Sequence, residues 1–345
     1  MGLKRRPEGF RLREYLLFAA VTVAVMILCV CLGSVTLPLK DTVRTLYRAL
    51  LGQSQIQGSL APNIILPVRL PRVLCVTTVG ASLSLCGAAM QGLLKNSLAD
   101  GSTMGVSSGA SLGAIVAIAF GIALPGLPFA GTTVMAILFA FGSLMLILAI
   151  TYRLDSSLST NTIILLGVIF SMFVSSISSF IITFAGEKIK TITFWTLGSL
   201  QGSSYQNALV IFVALVLCGG ILLRHADELN AFAVGEDNAR NIGVNVKRVK
   251  LTVLICVSVL IGVCVSVSGT IGFVGLVTPH MLRSITGPNH RRLLPASMFG
   301  GAVFLLIADL ISRTVLSPRE LPIGVVTSFV GSIVFVYIFY KSRKQ

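Results

Sequence analysis

Apolar runs close to the length of a membrane-spanning helix recur along this chain, with only short polar breaks between them. Crossing the hydrocarbon core as a helix takes about 20 mostly apolar residues, and only helices and closed barrels can satisfy their backbone there. The runs fall at residues 15–33, 71–94, 104–123, 130–150, 160–184, 206–223, 250–268, 271–286, 296–313 and 323–340. Together they use most of the 345 residues. The reading is an all-α integral membrane protein of about ten transmembrane helices, a single transmembrane domain over 1–345. Charged residues make up only 11% of the chain, against roughly 25% in soluble domains, so lipid must be its main solvent.

The net charge of +15 does not indicate nucleic acid, because the basic residues sit mainly at the ends of apolar runs, as topology signals do. Alternating the spans places two-thirds of the 27 Lys and Arg on one side. That side is the cytoplasmic one, and both termini fall on it. The basic N-terminus followed by an apolar run imitates a secretion signal, but the run is too long for one and no small-residue cleavage site follows. The seven cysteines lie within apolar segments without a Cys-x-x-Cys pair, which predicts buried hydrophobes rather than zinc or redox chemistry.

Glycine organises the predicted spans. Gly105, Gly109 and Gly113 form a small-xxx-small stripe that lets helix backbones approach. Gly80 and Gly87 are matched by Gly262 and Gly269 at the same spacing, in spans that cross in opposite directions. An inverted repeat would produce that pattern.

Chemistry-bearing residues are scarce. Asp309 is the one clear ionisable group inside a span, four residues from Arg313, where the two can neutralise each other as a structural ion pair. An ion-coupled carrier would need carboxylates or broken helices near the midplane, so an external energy source is favoured. No Gly-x-x-x-x-Gly-Lys-Ser/Thr loop is present to cradle ATP. No catalytic triad or metal-ligand cluster appears either, and no cofactor or metal is expected on this chain. Hydrolysis therefore falls to a partner, and the largest cytoplasmic loop, 225–248, is its natural dock. There Gly235 can open a short helix with Glu236 and Asp237 in its first turn and Arg240 late, stopped by Gly243. An interfacial helix is the alternative, but its acidic start would repel anionic lipid. On the other side stand Arg69, Arg72 and Arg313, which either snorkel to lipid phosphates or meet carboxylates of a delivering protein.

These stretches resemble the iron-siderophore and cobalamin uptake permeases of type II ATP-binding-cassette importers. Arg69-Leu-Pro-Arg72, Gly80 through Gln91, Asn96-Ser-Leu-Ala-Asp100 and Gly105 through Ala110 match the opening signature of that family. Trp195 through Ser199 matches its middle, Gly235 through Gly243 its ATPase-coupling loop, and Gly272 through His280 with Ala308 through Gly324 its closing signature. Ser97 departs from it where proline is usual. The resemblance implies a non-enzymatic translocation subunit in the cell (inner or plasma) membrane. It also implies a second permease subunit (homo- or heterodimer), two cytoplasmic ATPase subunits that use the ATP, and an extracytoplasmic substrate-binding protein.

By the same resemblance Arg69, Arg72 and Arg313 receive that binding protein. Gly235, Glu236, Asp237, Ala239, Arg240 and Gly243 couple the ATPase. Asn96, Ser97 and Leu98, with the loop at 152–157, form the inner gate, and the spans at 160–184 and 323–340 line the path. The expected cargo is a metal chelate, a ferric siderophore first, with cobalamin or haem as the alternative. An ion-coupled secondary transporter is the competing class.

Overall fold

The structure, a computed structural model, describes residues 9–51, 61–123, 130–155 and 159–342, and all regular structure among them is helical. In chain order the helices are α1 (Leu12–Cys31), α2 (Leu39–Leu50), α3 (Ala61–Leu94), α4 (Val106–Phe120), α5 (Ala130–Leu154), α6 (Thr160–Thr183) and α7 (Ile189–Thr196). They continue with α8 (Tyr205–Arg224), α9 (Ala226–Val234), α10 (Glu236–Asn241), α11 (Val246–Ser268), α12 (Val274–Thr286), α13 (His290–Thr314) and α14 (Ile323–Ser342). Among the described residues seven helices (α1, α3, α5, α6, α8, α11 and α13) are long and apolar enough to cross a membrane. The apolar helices α4 and α14 are shorter by that measure, and α12 has only 13 residues. The chain is a multi-pass membrane protein.

Burial sorts these helices into a hub and a periphery. The apolar window of α3 is 78% buried and that of α11 72%, against 17% for both α1 and α6. Small residues explain why α3 is central. A Cβ at Gly80 would lie 2.4 Å from the Gly301 carbonyl oxygen of α13, and one at Gly87 only 1.9 Å from that of Gly275 in α12. Both α13 and α12 therefore meet α3 backbone to backbone. Without a hydrophobic drive between helices in lipid, such close approach is a main source of association.

The stripe at 105–113 has a mixed role. Gly109 and Gly113 pack α4 onto the Phe139 and Met135 carbonyls of α5, whereas Gly105 is the left-handed residue (φ +69°) before α4 begins. The glycine pairs that suggested an inverted repeat do not play matching parts. Gly87 is a helix-interior contact, while Gly269 ends α11 at φ +65° against the Trp195 carbonyl. All seven cysteines are free.

Candidate functional site

Two clusters of charge lie at opposite ends of α3 and α13. The first begins in the stretch 62–71, where Pro62, Pro67 and Pro71 interrupt the backbone donors of α3. The helix answers with a π turn over Ile65–Arg69, in which the Leu70 N–H reaches back to the Ile65 carbonyl. Pro71 has no N–H to offer, and the carbonyl of Leu66 is taken instead by the Tyr205 hydroxyl at 2.6 Å.

Arg69, Arg72 and Arg313 follow from this turn and from the end of α13, and they are only 4%, 7% and 3% exposed. Arg69 donates to the carbonyls of Val30 and Cys31 at 2.9 Å each, and to Val35. Arg313 donates to those of Cys29 at 3.2 Å and Leu32 at 3.3 Å. The last turn of α1 has no basic residue of its own, and these two guanidinium groups occupy its orphan carbonyls and offset its negative dipole end. Asp309, fully buried, accepts from Arg72 at 2.9 Å and pairs with Arg313 at 2.9 Å. Arg72 also holds Glu320 through two contacts of 2.8 and 3.0 Å. The Asp309–Arg313 pair is thus part of a network joining α1, α3, α13 and the loop before α14. The three arginines expected to receive a delivering protein are thus placed inside the bundle, each with partners in this chain. A guanidinium fork already filled by carboxylates and carbonyls has little left to offer a partner, and burial of an ion would be costly without them.

At the other end, α9 and α10 meet at Gly235 (φ +137°), and Gly243 (φ +92°) follows α10. The Ala239 methyl is buried and pins α10 to the bundle. Glu236 and Asp237 occupy its first turn but point in different directions. Glu236 reaches the buried Lys250 at 2.8 Å and accepts from Thr160 at 3.4 Å, so it belongs to the bundle. The Asp237 side chain is 93% exposed and that of Arg240 51%. Val234 and Ile242 are exposed beside them, at 73% and 72%. Two apolar side chains and two charges thus form a surface that none of the described residues covers.

α9 is tied down firmly. Asn230 accepts from the His290 backbone N–H at 2.8 Å, contacts its Nδ1 at 2.9 Å and donates to Asn289 at 2.9 Å. Asp227 binds Arg291 through both oxygens at 2.5 and 2.6 Å. None of Asn230, His290, Lys250 or Glu320 was assigned a role from the sequence. An isolated Asn or His in an apolar chain carries no spacing that names its partner.

The inner-gate candidates form a tight turn next to this surface. Lys95 ends α3 in the left-handed region (φ 48°), and the Asn96 side chain accepts from the Leu98 N–H at 2.9 Å. Leu98 is exposed and, with Asp100, lines a cavity of about 340 Å³ that extends to Thr270–Phe273 and Leu83 of α3. Of the second gate loop, Tyr152 carries the Lys247 ammonium 4.4 Å over its ring, while residues 156 and 157 lie outside the described residues. The proposed path helices α6 and α14 expose rows of large apolar side chains, among them Val168, Met172, Phe329 and Ile333. Among the described residues no group of three His, Cys, Asp or Glu could hold a metal ion.

Comparison with known proteins places this geometry. A solved structure of a transporter assigned to the metal-chelate ABC type, in an inward-facing conformation, superposes with a TM-score of 0.84 at 31% identity, over 96% of this chain and 100% of the other. An uncharacterized ABC transporter permease protein, YvrB of Bacillus subtilis, is 43% identical over 333 residues, covering 95% of this chain and 92% of that one. The cobalamin import system permease protein BtuC of Halobacterium salinarum is 36% identical over 278 residues, 81% of this chain and 73% of that one. The model of the FecCD transport family matches residues 21–341, and this chain belongs to that family.

Proposed function

We propose that this chain is the permease subunit of an ATP-binding-cassette importer that carries a metal chelate, a ferric siderophore first, into the cytoplasm. The exposed surface of α9 and α10 carries the reading: Val234, Asp237, Arg240 and Ile242 stand out on a short helix pair locked to α13 and α11. A partner that hydrolyses ATP would find there both apolar anchors and charges that fix register. In this reading the chain crosses the membrane ten times, α12 and the shorter α4 and α14 included, with both ends in the cytoplasm. Two permease subunits enclose the path, two ATPase subunits sit below, and a substrate-binding protein delivers from outside. The arginine network serves the delivering protein indirectly, by holding in place the loops at 32–38 and 315–322 on which that protein would rest. Cobalamin or haem is the second reading for the cargo.

The test is reconstitution in proteoliposomes with the ATPase and substrate-binding protein that co-purify with this chain. Uptake of a ferric siderophore is expected to need ATP inside and to persist when the proton gradient is collapsed. Uptake driven by a proton or sodium gradient without the ATPase would overturn the assignment, and ATP-driven uptake of cobalamin or haem alone would change the cargo.

A further inference from the structure

The helix α2 has no part in the function proposed above, and its surface is divided into three strips. Thr42 and Thr45 are buried against the bundle, their hydroxyls satisfied within the helix by the carbonyls of Pro38 at 3.3 Å and Asp41 at 2.7 Å. Leu39, Val43 and Tyr47, spaced at i, i+4 and i+8, are 65%, 56% and 63% exposed. Leu51, just past the last turn, is exposed as well. Beside that apolar strip runs a third, Lys40, Arg44 and Arg48 at the same spacing, with Asp41 as the only acidic residue of the helix. At 100° per residue the cationic strip lies a little over a quarter-turn from the apolar one, and the two flank the pole of the helix opposite the buried Thr42 and Thr45.

The place of α2 in the fold says what such a surface meets. It follows α1 by residues 32–38 and precedes α3, two helices long and apolar enough to span the bilayer. It lies at the end of α3 that carries Arg69, opposite the end that meets α9. The neighbouring α1 shows most of its apolar surface to its surroundings. A helix held at that level, apolar toward the acyl chains and cationic toward the headgroups, has the form of an interfacial helix. Tyr47 has the amphipathic ring that favours the headgroup boundary.

We infer that α2 is a lipid-binding helix, with Leu39, Val43 and Tyr47 in the acyl boundary and Lys40, Arg44 and Arg48 gripping the phosphates of anionic phospholipids. Three cations in a row against one carboxylate favour anionic headgroups over zwitterionic ones. An acidic soluble protein would satisfy the cations but would leave the apolar strip in water or need its own apolar match.

The chain has a single tryptophan, Trp195, which makes a direct test available. In the Trp195→Phe background, Tyr47→Trp places the one indole on the apolar strip of the full-length protein. The protein is reconstituted in nanodiscs of phosphatidylcholine with phosphatidylglycerol, and bromine is placed on the acyl chains of one lipid at a time. Blue-shifted emission is expected, quenched several-fold more strongly by brominated phosphatidylglycerol than by brominated phosphatidylcholine at equal mole fraction. Changing Lys40, Arg44 and Arg48 to Gln is expected to abolish that preference while leaving quenching by either lipid. Emission at the wavelength of hydrated indole, quenched by aqueous iodide and not by brominated lipid, would overturn the proposal and point to a soluble partner. An indole shielded from both quenchers would overturn it in favour of a second protein copy, and equal quenching by the two lipids would remove the headgroup claim. Native mass spectrometry of the unaltered protein provides a check independent of the substitutions: retention of phosphatidylglycerol over phosphatidylcholine is expected, and equal retention would count against it.

Discussion

At one end of the bundle Arg69, Arg72, Arg313, Asp309 and Glu320 turn inward and satisfy one another and the end of α1. At the other end Asp237 and Arg240 face outward beside exposed Val234 and Ile242, while Glu236 and Lys250 close on each other beneath them. Both ends are rich in charge and similar when read as sequence. The difference lies in the elements each charge can reach. Arg69, Arg72 and Arg313 come from helices that converge, so each finds carbonyls or carboxylates within bonding distance. Among the described residues no helix lies beyond the outer face of α10, and its charges, Asp237 and Arg240, pair only with each other at 3.5 Å while staying open to solvent. Charge at a helix end therefore points to another molecule only where the fold leaves it exposed, as at Asp237 and Arg240, and not where it is buried, as at Arg69, Arg72 and Arg313.

The largest expected effect comes from breaking the inward network at its centre. Asp309→Ala leaves the Arg72 and Arg313 guanidinium groups buried without their shared carboxylate. Removing one member of a buried charge network costs roughly 3–5 kcal/mol. The variant is expected to lose most of its folded yield and its melting transition in detergent, and a melting temperature within two or three degrees of wild type would show that the network is not structural.

The middle effect separates the two acidic residues of α10. Asp237→Lys combined with Ile242→Glu should leave folding intact and abolish coupling of ATP hydrolysis to uptake, because both residues lie on the uncovered face. Glu236→Gln acts differently, since it removes the counter-charge of buried Lys250 and should lower the melting temperature. If Asp237→Lys with Ile242→Glu transports normally, the exposed face is not the coupling surface. The smallest effect is expected at Arg319, an exposed residue six positions after Arg313. Arg319→Ala should change stability by less than about 0.5 kcal/mol, the range for ordinary surface positions. A large loss there would mean that burial does not decide which outer arginines matter.

Hydropathy made the long spans legible, because a continuous apolar run of about 20 residues has few other uses. It also located the α10 turn, since Gly235, Glu236, Asp237 and Gly243 carry local backbone and dipole signals. The helices α2 and α7 were missed for the opposite reason. Both are short, at 12 and 8 residues, and α2 mixes charge into every turn, so neither stands out against a window tuned to spans. The partners of the outer arginines were hidden as well. That Arg72 meets Glu320 depends on a tertiary contact across 248 positions, which no local pattern encodes. Spacing alone did suggest Asp309 with Arg313, because they share a helix face.

The helix α13 extends over 25 residues, about 37 Å at 1.5 Å per residue, and it is fastened at both tips. Its first residues are tied to α9 through Asn230 and Asp227, and its far end holds Arg72 through Asp309. Midway, Gly301 touches the backbone of α3 at Gly80 with no side chain between them to roll or slide. Mechanically the two helices behave as a braced strut rather than as separate rods. A sideways push on α9 has a continuous route along this strut to the arginine end, and Pro295, inside α13 between the tie to α9 and the Gly301 contact, is where the backbone ladder is broken and the strut can bend.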